Sequence, residues 1–359
     1  MNAIHHSTDN RFTHLLATRP WLLADGATGS NLFDVGLLSG DAPELWNTEH
    51  PERIGNLHRG FIDAGADIIL TNSFGGTRYR LKLHKAEGRV AELNLAAARI
   101  ARAAADASGR EVAVAGSMGP TGEIMEPIGP LSFDQARDAF AEQASSLAEG
   151  GVDVLWIETM SSQEEVQAAV AGAATVGLPI VCTLSFDTNG RTMMGISPSD
   201  FAALEKSLVP RLAACGTNCG VGASEVVACI HNLAAVAGPD VVLVAKGNCG
   251  IPQYVDGAIV YNGTPELMAV YARMALDAGA RIIGGCCGTS AKHLRAMRDA
   301  LDAHTAGASP ELEAIVEQLG DVSTGARAQW GGEQSRLGGA APGATLKRGR
   351  GRRGGAGAE

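Results

Sequence analysis

The chain has 359 residues, 45% of them hydrophobic but only 4% aromatic, so it can bury a large core built mainly from Ala, Val, Ile and Leu. A formal charge of −10 argues against a nucleic-acid protein, which would need a basic face. No apolar run reaches membrane-spanning length and no signal-peptide pattern opens the chain, so a cytoplasmic protein without a membrane partner is expected, and its seven cysteines read as core fillers, nucleophiles or metal ligands rather than a disulfide framework.

Residues 1–18 read as an N-terminal extension. Short apolar or β-branched runs then alternate with Ala-rich amphipathic stretches. Strands are expected at 21–25, 67–72, 111–117, 152–158, 179–186, 214–219, 241–247 and 281–286, and helices at 51–64, 133–149, 161–176, 264–278 and 290–304. In the first of these helices Ile54, Leu57, His58 and Phe61 share one face. The Ala-Gly steps at Ala64-Gly65 and Ala278-Gly279 suit a left-handed helix terminus before the next strand. Such alternation means a parallel sheet, open or closed. Closure is favoured because polar or reactive residues end nearly every strand: Asp25, Thr71-Asn72, Ser117, Glu158, Asp187, Asn218-Cys219, Asn248 and Cys286-Cys287. In a (β/α)8 TIM barrel these converge on one face, where barrel active sites are built. The expected single domain covers 19–305. Residues 306–359 then supply one helix, near 310–319, and a flexible Gly/Arg-rich tail ending in Lys347-Arg348-Gly349-Arg350-Gly351-Arg352-Arg353.

Gly284-Gly285-Cys286-Cys287-Gly288 ends the last strand and Gly216-Thr217-Asn218-Cys219-Gly220 the sixth. Two vicinal cysteines and a remote third, all at barrel mouths, can supply three thiolates to a tetrahedral ion. Thiolate ligation fits zinc, and three protein ligands leave the open fourth position of a catalytic site. Spacing alone also leaves open a core role for each cysteine, or a strained disulfide within the pair. Asp25 by itself could be a turn or capping residue, and Glu158 a buried ion-pair partner. Cys182, Cys215 and Cys229 read as core, Cys249 as a passenger, Asp187 as a loop-ordering residue, and His58 and His84 carry no assigned chemistry.

From about Trp21 to Ala300 the chain resembles the homocysteine S-methyltransferase family, which includes betaine–homocysteine methyltransferase and the homocysteine domain of methionine synthase. The resemblance rests on Asp25-Gly26-Ala27-Thr28-Gly29, Glu44-Leu45-Trp46, Thr71-Asn72-Ser73-Phe74, Gly116-Ser117-Met118-Gly119-Pro120, Ile157-Glu158-Thr159 and the two cysteine motifs, all in family order. It implies that Cys219, Cys286 and Cys287 bind zinc and that the homocysteine sulfur becomes the fourth ligand. It maps Asp25 and Glu158 onto the substrate ammonium, the surroundings of Gly26, Thr71 and Phe74 onto its carboxylate end, and Asn218 onto the substrate pocket. The implied reaction is zinc-dependent methyl transfer from a small onium donor to homocysteine, giving methionine. Glycine betaine is favoured because Trp46 matches an aromatic donor contact of the betaine enzymes, although Gly75 and Thr159 stand where animal betaine enzymes carry tyrosines. S-methylmethionine, S-adenosylmethionine and dimethylsulfoniopropionate are the alternative donors. A barrel subunit working with a separate corrinoid protein is a further alternative, a non-catalytic zinc- or thiol-binding protein a remote one, and a homo-oligomer is compatible with the sequence.

Overall fold

The computed structural model describes residues 10–250, 252–255 and 258–333. Every expected strand segment forms a strand: β1 (Leu22–Leu23), β2 (Ile68–Leu70), β3 (Ala113–Met118), β4 (Val154–Met160), β5 (Ile180–Leu184), β6 (Ala214–Cys219) and β7 (Leu243–Gly247), then, after a hairpin of β8 (Pro252–Val255) and β9 (Ala258–Tyr261), β10 (Ala280–Gly285). The eight barrel strands are parallel in the order β2-β3-β4-β5-β6-β7-β10-β1. A parallel bridge between Ala24 and Ile68 joins the two ends, so the sheet closes into a TIM barrel. The antiparallel β8–β9 hairpin was not expected, whereas the helices Val90–Ala107, Pro198–Ser207 and Ala223–Ala234 fill remaining places in the expected alternation.

Alternate strand residues point to the barrel axis. The interior is filled by Leu22, Ala24, Ile68, Leu70, Ala113, Ala115, Val154, Trp156, Val181, Ala214, Val244 and Ile282. Their neighbours face outward into a second, larger core beneath the helices. The period of two therefore carries Ser117, Glu158, Asn218 and Lys246 to the axis at the C-terminal mouth. At the opposite mouth the N-terminal extension forms the helix Arg11–Thr18, capped by Asn10, and sets Phe12 and Leu15 against the barrel interior. Gly65 and Gly279 take φ of 111° and 109°, as their places at helix ends require.

Beyond the barrel the helix Leu312–Leu319 lies where it was expected. The expectation of an unstructured tail directly after Gly320 does not hold, because a further helix, Thr324–Trp330, packs on Ala223–Ala234. Glu225 of that barrel helix accepts hydrogen bonds from Ser323 N at 2.9 Å and Ser323 Oγ at 2.5 Å, and Trp330 stacks on His231 at 3.5 Å. Composition alone hid these anchors. The Gly/Arg-rich stretch 334–359 lies outside the described residues.

Candidate functional site

Cys219 ends β6 in a left-handed conformation with φ of 63°, and Cys286 and Cys287 follow β10 directly. Glycine is needed before the pair: a Cβ on Gly285 would lie 2.2 Å from Thr289 Cγ2. The backbone of the pair is fixed by Cys286 N donating to Gly247 O (2.7 Å) and Cys249 N donating to Cys287 O (2.8 Å). Asn248 ties the two cysteine loops together. Its Oδ1 accepts Cys287 N at 3.0 Å and its Nδ2 donates to Gly220 O at 2.7 Å.

The three sulfurs converge, each within 4.8 Å of the others, and Cys219 Sγ and Cys287 Sγ are 3.9 Å apart. Tetrahedral Zn–S bonds of about 2.3 Å place sulfurs about 3.8 Å apart, so the spacing fits the ion. No disulfide joins Cys286 to Cys287 in this structure. Hydrogen bonds from Cys219 and Cys286 hold Cys287 far below the ordinary thiol range, at about 3, while the same contacts and burial push Cys219 up. Three thiols this close cannot all ionise together, and a divalent cation is the partner that would let them serve as thiolate ligands. Cys182, Cys215, Cys229 and Cys249 are all buried and lie outside this triad.

Beside the sulfurs lies a buried charged group. Lys246 Nζ donates to Asp25 Oδ1 at 2.8 Å, with both side chains at most 3% exposed, and it sits 5.5 Å from the Trp156 ring centroid. Asp25 Oδ2 accepts Leu70 N at 2.7 Å. Burial raises the Asp25 pKa against the opposing pull of Lys246. Burial would lower that of Lys246, but the carboxylates of Asp25 and Glu158 outweigh it and hold the ammonium charged. Ser117 Oγ donates to Glu158 Oε1 at 2.5 Å. Burial, opposed by Lys246, pushes the Glu158 carboxyl up to about 7.

Thr71 Oγ1 contacts Ser73 Oγ (2.6 Å) and accepts Ser117 N (3.0 Å), so this hydroxyl is part of the support beneath Ser117. Gly26 is needed for close approach, since a Cβ there would lie 2.5 Å from Thr289 O. Phe74 is half-buried and lies against Gly119. The Asn218 amide is wholly buried and already engaged: Oδ1 accepts Thr159 N (2.8 Å) and Thr183 Oγ1 (2.7 Å), and Nδ2 donates to Thr159 Oγ1 (2.7 Å) and lies 4.0 Å from Cys286 Sγ. Its contacts thus brace Cys286 and the β4 end. Trp46 packs with Leu32, Leu37 and Ile54, its ring 4.9 Å from the Arg53 guanidinium and in edge contact with His50. The cation at this ring is therefore supplied by the protein itself.

Four participants escaped sequence reasoning: Lys246, Ser117 as the partner of Glu158, Asn248 as the clasp, and Tyr261, whose hydroxyl is pushed up by burial and by Cys287 beside it. A lysine following Val242 and Val244 at the same period was the legible signal for the first. The others depend on contacts between distant strands.

A sequence model of the homocysteine S-methyltransferase family matches residues 22–301. Methionine synthase from Mycobacterium leprae (strain TN) is 29% identical over 339 residues, covering 90% of this chain but 28% of that protein. The methionine synthase of Mycobacterium tuberculosis (strain ATCC 25618 / H37Rv) is 29% identical over 313 residues, with 82% and 26% covered. The chain thus spans about a quarter of the length of these relatives. Among solved structures, the metallated form of the homocysteine methyltransferase MmuM from Escherichia coli superposes with a TM-score of 0.67 at 25% identity, covering 81% of this chain and 99% of that one. A methyltransferase from Methanosarcina mazei shares the fold with a TM-score of 0.53 at 17% identity. With the match spanning the closed barrel and the converging Cys219, Cys286 and Cys287 forming the type of zinc site found in such enzymes, the chain belongs to the homocysteine S-methyltransferase family.

Proposed function

We propose that this chain transfers a methyl group from a small onium donor to homocysteine, giving methionine. The observation that carries the proposal is the placement of a three-sulfur metal centre beside the buried Glu158 carboxylate in one barrel mouth. An amino-acid thiol needs both a partner for its sulfur and one for its ammonium. Cys219, Cys286 and Cys287 would hold zinc, with Asn248 and Asn218 fixing their loops. Zinc, when bound, lowers the pKa of a thiol and orients its sulfur. Glu158, steadied by Ser117, receives the substrate ammonium. The methyl carbon passes in line to the sulfur, a new C–S bond forming as the bond to the onium atom breaks and its electron pair stays with the donor. No protein base is required for that transfer.

The donor is a separate question. Trp46 gave glycine betaine its advantage, but Arg53 lies against its ring, so that residue no longer favours a quaternary ammonium over a sulfonium. Glycine betaine, S-methylmethionine, S-adenosylmethionine and dimethylsulfoniopropionate therefore enter a screen on equal terms. A second reading is delivery of the methyl group by a corrinoid protein, which the 29% identity to two methionine synthases supports.

The test is methionine formation from homocysteine and each donor, with metal content measured in parallel. The purified chain is expected to hold one zinc and use at least one onium donor. Cys219→Ala, Cys286→Ala and Cys287→Ala should each lose zinc and activity together, and retention of both by any one of them would overturn the assignment. Zinc and homocysteine binding without turnover of any free donor would select the second reading.

A further inference from the structure

The loop after β5, residues 188–197, is covered at one end and open at the other. Asn189 Oδ1 accepts Thr324 Oγ1 at 3.1 Å and Gly325 N at 2.7 Å, and Gly190 O accepts Gln329 Nε2 at 2.9 Å, so the terminal helix sits on the first half. The second half turns back on itself, with Thr192 N donating to Ile196 O at 2.9 Å. There Met194, Gly195 and Ile196 form one wall of a groove of about 630 Å³, opposite Ile124 and Ile128 of the loop after β3. Ile128 is 75% exposed, Ile124 57% and Met194 49%. Three large apolar side chains at one groove mark an interaction surface. The groove is also acidic: Glu126, Glu164 and Asp200 line it, and no Lys or Arg does. Asp200 is committed to the Ser197 hydroxyl at 2.7 Å and to Arg191 at 3.5 Å. Glu126 and Glu164 are exposed and have no ion-pair partner among the described residues.

Residues 334–359 supply the complement. They hold six Lys and Arg against one Glu, in a chain whose formal charge is −10, so the body they leave is more acidic than the whole. Five of those cations fall within 347–353, directly after Leu346. The segment also starts in the right place, since Glu333 N bonds Ala328 O at the end of the helix that covers Asn189 and Gly190. Gly190 and Met194 are four residues apart, at most about 14 Å of chain, whereas the thirteen residues from Gln334 to Leu346 extend up to about 43 Å. We propose that the groove between the β3 and β5 loops is the docking site of this chain's own segment 334–353. Leu346 meets the apolar walls, and the cations that follow it meet Glu126 and Glu164. A tether of this length holds the segment at roughly millimolar concentration over the groove, so contacts too weak for a free peptide suffice. Exposed ion pairs are individually weak and screened by salt, which makes the docking reversible and salt-dependent. The docked segment straps the β3 loop to the β5 loop, whatever reaction the mouth carries out.

The test uses the full chain. Release of the segment by trypsin, followed by mass spectrometry at low salt, should be roughly 5- to 10-fold slower than cleavage of a synthetic peptide of residues 334–359, because cleavage tracks the undocked population. The Glu126→Lys/Glu164→Lys variant, and wild type at about 0.5 M salt, should be cleaved as fast as the peptide under the same conditions. A second measurement leaves the groove unaltered. In a full chain carrying Lys347→Gln, Arg348→Gln, Arg350→Gln, Arg352→Gln and Arg353→Gln, the amides of 124–131 and 193–196 should exchange roughly 3- to 10-fold faster than in wild type. Wild-type cleavage at the peptide's rate, a charge-reversal variant that stays protected, or exchange unchanged by the Gln substitutions overturns the proposal. So does protection that grows with protein concentration alongside a dimer in sedimentation, which gives the groove to a second copy. Protection that comes only with added single-stranded RNA overturns it too, and gives the segment to a polyanion.

Discussion

Glu158 and His58 contrast a buried residue with an oxygen left open and a buried residue with no hydrogen-bond partner among the described residues. Glu158 is held by a single side-chain hydrogen bond, from Ser117, and keeps its other oxygen for a ligand. Glu158→Gln should raise the KM for homocysteine roughly 10- to 100-fold, the worth of a hydrogen bond to a charged group, while zinc stoichiometry stays at the wild-type value. Lost zinc at an unchanged KM would place Glu158 with the metal instead. His58 is 1% exposed in the helix Pro51–Asp63, neither ring nitrogen has a partner, and burial, with Arg59, lowers its pKa to about 4. The unfolded chain, with an ordinary value near 6.5, binds the proton first as pH falls. Stability is thus fully present above about pH 6.5 and declines by about 3 kcal/mol on acidification to about pH 4. His58→Leu should flatten that stretch of a denaturation-versus-pH curve, and an unchanged slope would assign it to other groups. The apolar face of this helix was legible as Ile54, Leu57, His58 and Phe61, but the lack of any partner for the imidazole was not.

At the scale of elements, the two segments flanking the barrel are held to it in different ways. The helix Arg11–Thr18 follows from hydrophobic filling, with Phe12 and Leu15 meeting the interior side chains. Thr324–Trp330 is held by polar anchors: Glu225 takes Ser323, Asn189 Oδ1 accepts Gly325 N at 2.7 Å, and Gln329 Nε2 donates to Gly190 O at 2.9 Å. Glu225→Ala removes the acceptor of two of these bonds and should cost about 1–3 kcal/mol of local stability. Faster amide exchange across 323–330, with zinc binding intact, is the expected result. Protection equal to wild type would shift the anchoring to the Trp330–His231 stack. Neither segment is distinctive in sequence, because short polar stretches reveal their role only through the surface they meet.

For the whole molecule, the division between the two barrel ends is electrostatic as well as topological. The C-terminal mouth gathers the sulfurs and Glu158. The N-terminal end gathers arginines around the wholly buried Asp67, whose carboxylate receives Arg19 at 2.5 Å, Arg298 at 3.3 Å, Arg110 at 3.4 Å and the Leu23 backbone N–H at 2.9 Å. This hub joins the first two strands to the helical layer at the face where barrels keep stability rather than chemistry. Asp67→Ala should destabilise the fold by about 3–5 kcal/mol, since it leaves several cations without their shared partner. Thermal denaturation should show that loss, while kcat/KM of the folded variant stays near the wild-type value. A matching fall in kcat/KM would show that the hub shapes the distant mouth.

The order of strands and helices, the parallel sheet and the cysteine motifs at strand ends were all determined locally, by hydrophobic period and by glycine. Period two also fixed which residues face the axis, Glu158 and Lys246 included. Closure made these positions into a site, because residues separated by long stretches of chain meet only when Ala24 bridges Ile68 and the sheet becomes a ring. The same closure decided what each polar group could bind: Asp25 met Lys246, Asn218 met Thr159 and Thr183, and Trp46 met Arg53. Residue type and spacing specify which groups are present. Only the packed barrel decides which of them still have a free hydrogen-bonding site, and those are the groups left to hold a substrate.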